Sequence, residues 1–192
     1  MGRLVPEQTA LVLVDMQQGT LGFPLAPHPA DALTATAVKL AQQFRAAGAT
    51  LVYVRVAFSP GYVDRPHGAT DTPMMLPPGG LPPEWSEYAP DLAAIAPDVW
   101  ITKRHWSGFH GTELDLQLRR RGITQVVLGG IATNFGVEST ARDAWQNDYS
   151  VLIAEDACSS VGPDLHAFAI EKTLPRIGVV RSSSEILAAL TA

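Results

Sequence analysis

At 192 residues, with 46% hydrophobic and 17% charged side chains, the chain suits one folded domain with a substantial core and not a disordered segment. A net charge of −5 gives no basic footprint for nucleic acid, and no apolar run approaches the roughly 18 residues that span a bilayer. Cys158 is the only cysteine, which excludes an intrachain disulfide. The opening stretch MGRLVPEQTALVLVD lacks the basic-then-apolar order of a secretory leader, so the expected compartment is the cytoplasm.

Thr9–Asp15 (TALVLVD) reads as a buried strand that ends in a carboxylate. In a parallel sheet that end faces the crevice where chemistry is done. An aspartate there serves as an acid or base, or caps the turn that follows. Ala30–Ala47 is predicted as a helix with Leu33, Ala37, Leu40, Ala41 and Phe44 on one face, stopped by Gly48. Thr50–Ala57 is the second strand. Ser59–Pro97 then holds nine of the fifteen prolines and shows no sustained period. A connection that long is a lid, a subunit contact or a mobile segment. Trp85, Tyr88, Met74 and Met75 offer it apolar anchors, which favours an ordered cover.

Asp98–Lys103 (DVWITK) is the third strand and also ends in a charge. Glu113–Arg121 follows as a helix whose basic triplet sits at the favourable C-terminal end. Ile123–Gly129 is the fourth strand. It breaks at Gly129-Gly130, passes Thr133-Asn134 and becomes a helix from Val137, where the backbone N–H groups near Phe135, Gly136 and Val137 are placed to bind an anion or oxyanion. Tyr149–Ala154 is the fifth strand, ending in Glu155-Asp156-Ala157-Cys158. A helix over Pro163–Leu174, a short strand Ile177–Val180 and a helix Ser183–Leu190 complete the chain. Alternation of this kind predicts an α/β, three-layer, Rossmann-like fold: a six-stranded parallel sheet of order 3-2-1-4-5-6 with helices on both faces. The whole of 1–192 forms a single domain in this reading, with the Pro-rich segment at about 59–97 as a lid or interface. No GxGxxG follows the first strand, so a dinucleotide site is unsupported.

Three stretches, LVLVDMQ with Asp15, TKRHWSGFHGTEL with Lys103 and GGIATNFGVESTARDAW around Gly136, occur in this order at strand ends. Together they resemble the isochorismatase-like hydrolase superfamily, which includes nicotinamidases and N-carbamoylsarcosine amidases. The resemblance implies that Asp15 is the acid or base and Lys103 its charge partner. Amidase-type members complete an Asp–Lys–Cys triad with a nucleophile that falls at Gly136 here, and glycine supplies none. Isochorismatases proper also carry glycine at this place. They hydrolyse a vinyl ether without a covalent intermediate, using a protonated carboxylic acid, which requires a raised pKa. On this reading Gly136 leaves room where other members carry sulfur.

The resemblance also implies a non-proline cis peptide at Ile131–Ala132, which aims the N–H of Ala132 or Gly136 at a substrate oxygen beside Phe135. Metal-binding amidases of the family carry Asp-x-His after the second strand, where this chain has Ala57-Phe58-Ser59, so neither metal nor cofactor is expected. A glutamine that contacts substrate in isochorismatases corresponds to about Val56. Neighbouring Arg55 either binds a carboxylate or is a structural arginine on the sheet's rim. Trp106 and Phe109 line the pocket or pack in the core, and His105 and His110 flank them without ligand spacing. Cys158 reads as a small buried apolar group ahead of a replacement nucleophile. The partners implied are a small-molecule substrate and a second copy of the chain. Two other readings stay open: amide hydrolysis by an altered nucleophile, and a non-catalytic binding or assembly protein that keeps the fold.

Overall fold

The computed structural model describes residues 3–190. β1 (Thr9–Val14) is buried at every position, because a central parallel strand is covered on both faces. Leu11 and Leu13 enter one core with α2 (Ala30–Ala46) and α7 (Ser183–Leu190). Ala10, Val12 and Val14 enter a second core with α4 (Leu114–Arg120) and α5 (Glu138–Gln146). The other strands are β2 (Thr50–Val56), β3 (Val99–Lys103), β4 (Gln125–Ile131), β5 (Ser150–Ser159) and β6 (Val179–Arg181). They form one parallel sheet of order β3-β2-β1-β4-β5-β6, as expected. No helix among the described residues is long and apolar enough to cross a membrane.

The fifth strand runs past its expected end at Ala154. Leu128 pairs with Ile153, but Gly130 pairs with Cys158, so β5 bulges outward between these contacts and then rejoins β4. The chain needs glycine at 130: its φ is 132°, and a Cβ there would lie 1.9 Å from Val14 O. The bulge turns two carboxylates out of the sheet. Asp156 accepts from Ser183 N and Oγ, both at 2.7 Å, at the start of α7, where Ser182 and Glu185 also form a reciprocal cap. The helix expected over Pro163–Leu174 is regular only in α6 (Pro163–Phe168) and then widens over Ala169–Thr173.

Two short helices flank the covering segment's anchored end, α1 (Gln18–Leu21) and α3 (Pro90–Ala93). Gln17, fully buried, donates to Val56 O and Trp85 O, each at 3.1 Å, and accepts from Val56 N. Tyr88 stacks on Tyr53 with ring centres 4.8 Å apart. Its hydroxyl donates toward Leu13 O at 2.6 Å, with Val54 O at 3.0 Å. Trp85 and Tyr88 therefore tie the segment to the exits of β1 and β2. Met74 and Met75 do not: both are exposed, Met75 by 80%. Tyr88→Phe is expected to cost about 1–2 kcal/mol by stranding buried carbonyls. Urea denaturation with limited proteolysis checks this, with cleavage rising within 59–97.

Candidate active site

β1 ends one residue before Asp15, which adopts φ 53°, a left-handed conformation that aspartate tolerates better than most residues. The turn is held by Asp15 N donating to Val54 O at 2.8 Å and by the Thr20 hydroxyl donating to Asp15 O. Lys103, the last residue of β3, donates from Nζ to Asp15 Oδ2 at 2.7 Å and to His105 O at 3.1 Å. Asp15 and Lys103 are only 6% and 2% exposed. Their convergence is well inside the roughly 6 Å over which such pairing is strong.

Burial raises the Asp15 carboxyl from 3.8 to about 6, although the charge and hydrogen bond of Lys103 pull it down. A raised carboxyl favours the protonated fold, so Asp15's contribution is complete below its unfolded value and is lost as pH rises through about 6. Asp15 Oδ1 is buried and has no hydrogen-bond partner among the described residues. With Oδ2 engaged by Lys103, Oδ1 is the oxygen left to take a proton when the carboxyl is neutral.

The third expected residue, Gly136, lies in a wide turn over Thr133–Val137 that precedes α5. A Cβ at Gly136 would lie 3.0 Å from Ile131 O, 3.2 Å from Asp15 Oδ2 and 3.2 Å from Val14 Cγ1. Glycine thus lets the turn close onto the carboxylate; it does not hold open an empty slot, as the sequence suggested. The Ile131–Ala132 peptide is cis. The amides of Phe135 and Val137 both donate to Ala132 O, at 3.0 and 3.2 Å. They are consumed within the turn and do not present themselves to an anion.

Other expected site residues divide. Trp106 and Phe135 come from the two turns that carry Lys103 and Gly136. Their rings lie 4.9 Å apart and are 62% and 38% exposed, an aromatic pair flanking the site. Arg55 lies on the other face of the sheet from Lys103. It pairs in register with Thr102 while Lys103 pairs with Val56, and successive side chains leave opposite faces of a strand. Arg55 therefore shares the face of Tyr53, bonds Thr102 Oγ1 at 3.2 Å and lies over the Trp100 ring, contacts that suit a structural arginine. Phe109 is likewise a packing residue, against Tyr149 and the second core. Cys158 is buried in that core, and burial pushes its thiol far up, away from a thiolate.

His105 and His110 meet edge to face with no acid beside them in a metal-sized group. Among the described residues that spacing belongs to His28, Glu155 and His166. The sequence reading missed this cluster, because its members lie 127 and 11 positions apart along the chain. Only the acidic pair at the end of the fifth strand hinted at it.

The isochorismatase domain model matches residues 9–185. The isochorismatase family protein YecD of Escherichia coli O157:H7 is 47% identical over 182 residues, 95% of this chain and 96% of its own. The ureidoacrylate amidohydrolase RutB of Caulobacter vibrioides is 32% identical, covering 83% of this chain and 80% of its own. A solved isochorismatase family protein from Burkholderia thailandensis superposes with a TM-score of 0.94 at 41% identity, over 100% of both chains.

Lys103→Met should move the Asp15 midpoint above about 6, since it removes the group that lowers it. Infrared titration of the carboxyl band measures that midpoint; a downward shift would contradict the assigned balance of burial and charge.

Proposed function

This chain belongs to the isochorismatase family, and we propose that it hydrolyses a small vinyl-ether substrate without a covalent intermediate, Asp15 acting as the acid and Lys103 as its partner. The observation that carries this reading is Asp15 Oδ1: buried, without a hydrogen-bond partner among the described residues, and part of a carboxyl raised to about 6. Near neutrality a useful fraction of such a carboxyl is protonated, as general acid catalysis requires.

In the first step the Oδ1 proton passes to the methylene carbon of the C=C bond. The electron pair of that bond forms the new C–H bond and leaves an oxocarbenium at the ether carbon. Lys103 holds the carboxylate that remains. Water adds to the oxocarbenium and gives up a proton to Asp15, and the resulting hemiketal breaks to a ketone and an alcohol. For an enolpyruvyl ether the ketone is pyruvate. No side-chain atom at residue 136 takes part, which agrees with glycine there. The Gly136 amide is the candidate donor to a substrate oxygen, and the Trp106–Phe135 pair is the candidate wall against an apolar ring.

The RutB relative is named as an amidohydrolase, which keeps amide hydrolysis as a second reading. This chain offers that chemistry no sulfur at 136 and only a buried thiol at 158. A panel of isochorismate, nicotinamide and other amides, run with wild type, Asp15→Ala and Gly136→Cys, decides between them. Pyruvate release by wild type that drops roughly 10²–10⁴-fold in Asp15→Ala supports the proposal. Wild-type amide turnover without pyruvate release overturns it. The vinyl-ether kcat/KM is further expected to fall about tenfold per pH unit above the Asp15 midpoint, with the opposite slope counting against an acid role.

A further inference from the structure

Outside the Asp15–Lys103 pair, one group of ligand-type side chains among the described residues has metal-site spacing: His28, Glu155 and His166. The geometry points to a binding site for a transition-metal dication of the zinc class, held by His28 Nε2, His166 Nε2 and Glu155 Oε1. Both Nε2 atoms already converge on the one carboxylate oxygen, at 2.9 and 3.1 Å, and the three ligand atoms lie within 4.8 Å of one another. Two imidazoles and a carboxylate with one open position are a donor set that zinc takes tetrahedrally, with water as the fourth ligand.

Three structural features support the assignment. The ligands come from three separate parts of the fold: the loop between α1 and α2, the β5 bulge, and α6. The His28 and Glu155 side chains are 28% and 33% exposed and His166 only 5%, so the site has a buried wall and a solvent-facing mouth through which an ion and its water can enter. His166 Nδ1 lies 2.9 Å from Thr133 Oγ1, itself fully buried. A ligating histidine almost always uses its second nitrogen in this way, to a fixed outer partner that sets its tautomer and ring orientation. In the metal-bound form the His166 proton sits on Nδ1, donated to Thr133, and both Nε2 lone pairs face the ion.

The site also has a consequence for the catalytic turn. Thr133 is the first residue of the wide turn that carries Gly136. An ion on His166 would fix the imidazole that Thr133 leans on and so stiffen the turn from behind, with no contact to the reacting atoms.

The test uses the full chain, stripped with EDTA and dialysed. Zn²⁺ titrated by calorimetry, and Co²⁺ by the visible absorption of tetrahedral cobalt, should each show one ion per chain. Glu155→Gln and His28→Gln, both changes at partly exposed side chains, should weaken binding at least a hundredfold while circular dichroism stays unchanged. Thr133→Val leaves every ligand in place and should weaken it roughly ten- to hundredfold. His110→Gln, at the other histidine pair, should change nothing. No stoichiometric uptake by wild type, or uptake that survives Glu155→Gln combined with His166→Gln, would overturn the proposal, as would loss of binding in His110→Gln.

Discussion

An aspartate and a lysine lie 2.7 Å apart where water hardly reaches either of them. Burying such ions costs several kcal/mol each before their attraction is counted, so the fold must hold both in place. The sheet order shows how. β3 and β1 are separated by β2, a span of roughly 9–10 Å at the usual strand spacing. Lysine is long enough to cross most of that distance from the end of β3, and the left-handed turn at Asp15 brings the carboxylate to meet it. Val54 O, accepting from Asp15 N, and the Thr20 hydroxyl, donating to Asp15 O, fix the turn, and the Gly136 loop closes the remaining side. Each strand end near the pair is needed to place it.

The covering segment belongs to the same construction. Tyr88 reaches the carbonyls of Leu13 and Val54, the second being the same oxygen that accepts from Asp15 N. Gln17 binds Val56, the residue directly opposite Lys103 in the sheet. Beyond β3, Arg104 pairs with Asp64, which also caps Ser59. The Pro-rich stretch is thereby fastened on both sides of the ion pair, while its middle, around Met74 and Met75, stays at the surface.

Much of this was legible in the sequence, and what was not has identifiable causes. Strands and helices alternate with clear apolar patterns, so the sheet order followed from connection rules alone. Asp15 and Lys103 stood out as charges that end apolar runs. Arg55 was ambiguous because LVYVRV is covered on both faces, and a strand without polar alternation does not show which way each side chain points. Phe109 suffered the same ambiguity in a turn with no period. The β5 bulge was hidden because Gly130 reads as ordinary tight packing until the Val14 carbonyl is placed against it. His28 and His166 met Glu155 only through that bulge, a long-range contact that no local spacing encodes.

Gly136 has a consequence for the history of this fold. Its missing side chain would stand 3.2 Å from the Asp15 carboxylate, where relatives of the amidase type, by resemblance, carry a thiol. Glycine and cysteine codons differ by a single base. On the proposed function, two reaction types, one through a covalent thioester and one through a protonated alkene, are neighbours in mutational space on a shared scaffold. On the proposed function the Asp15–Lys103 pair is an acid for carbon here, and the resemblance makes it a base for sulfur in the amidases. On that reading a single replacement at 136, with its neighbours giving way by a few tenths of an ångström, separates the two arrangements.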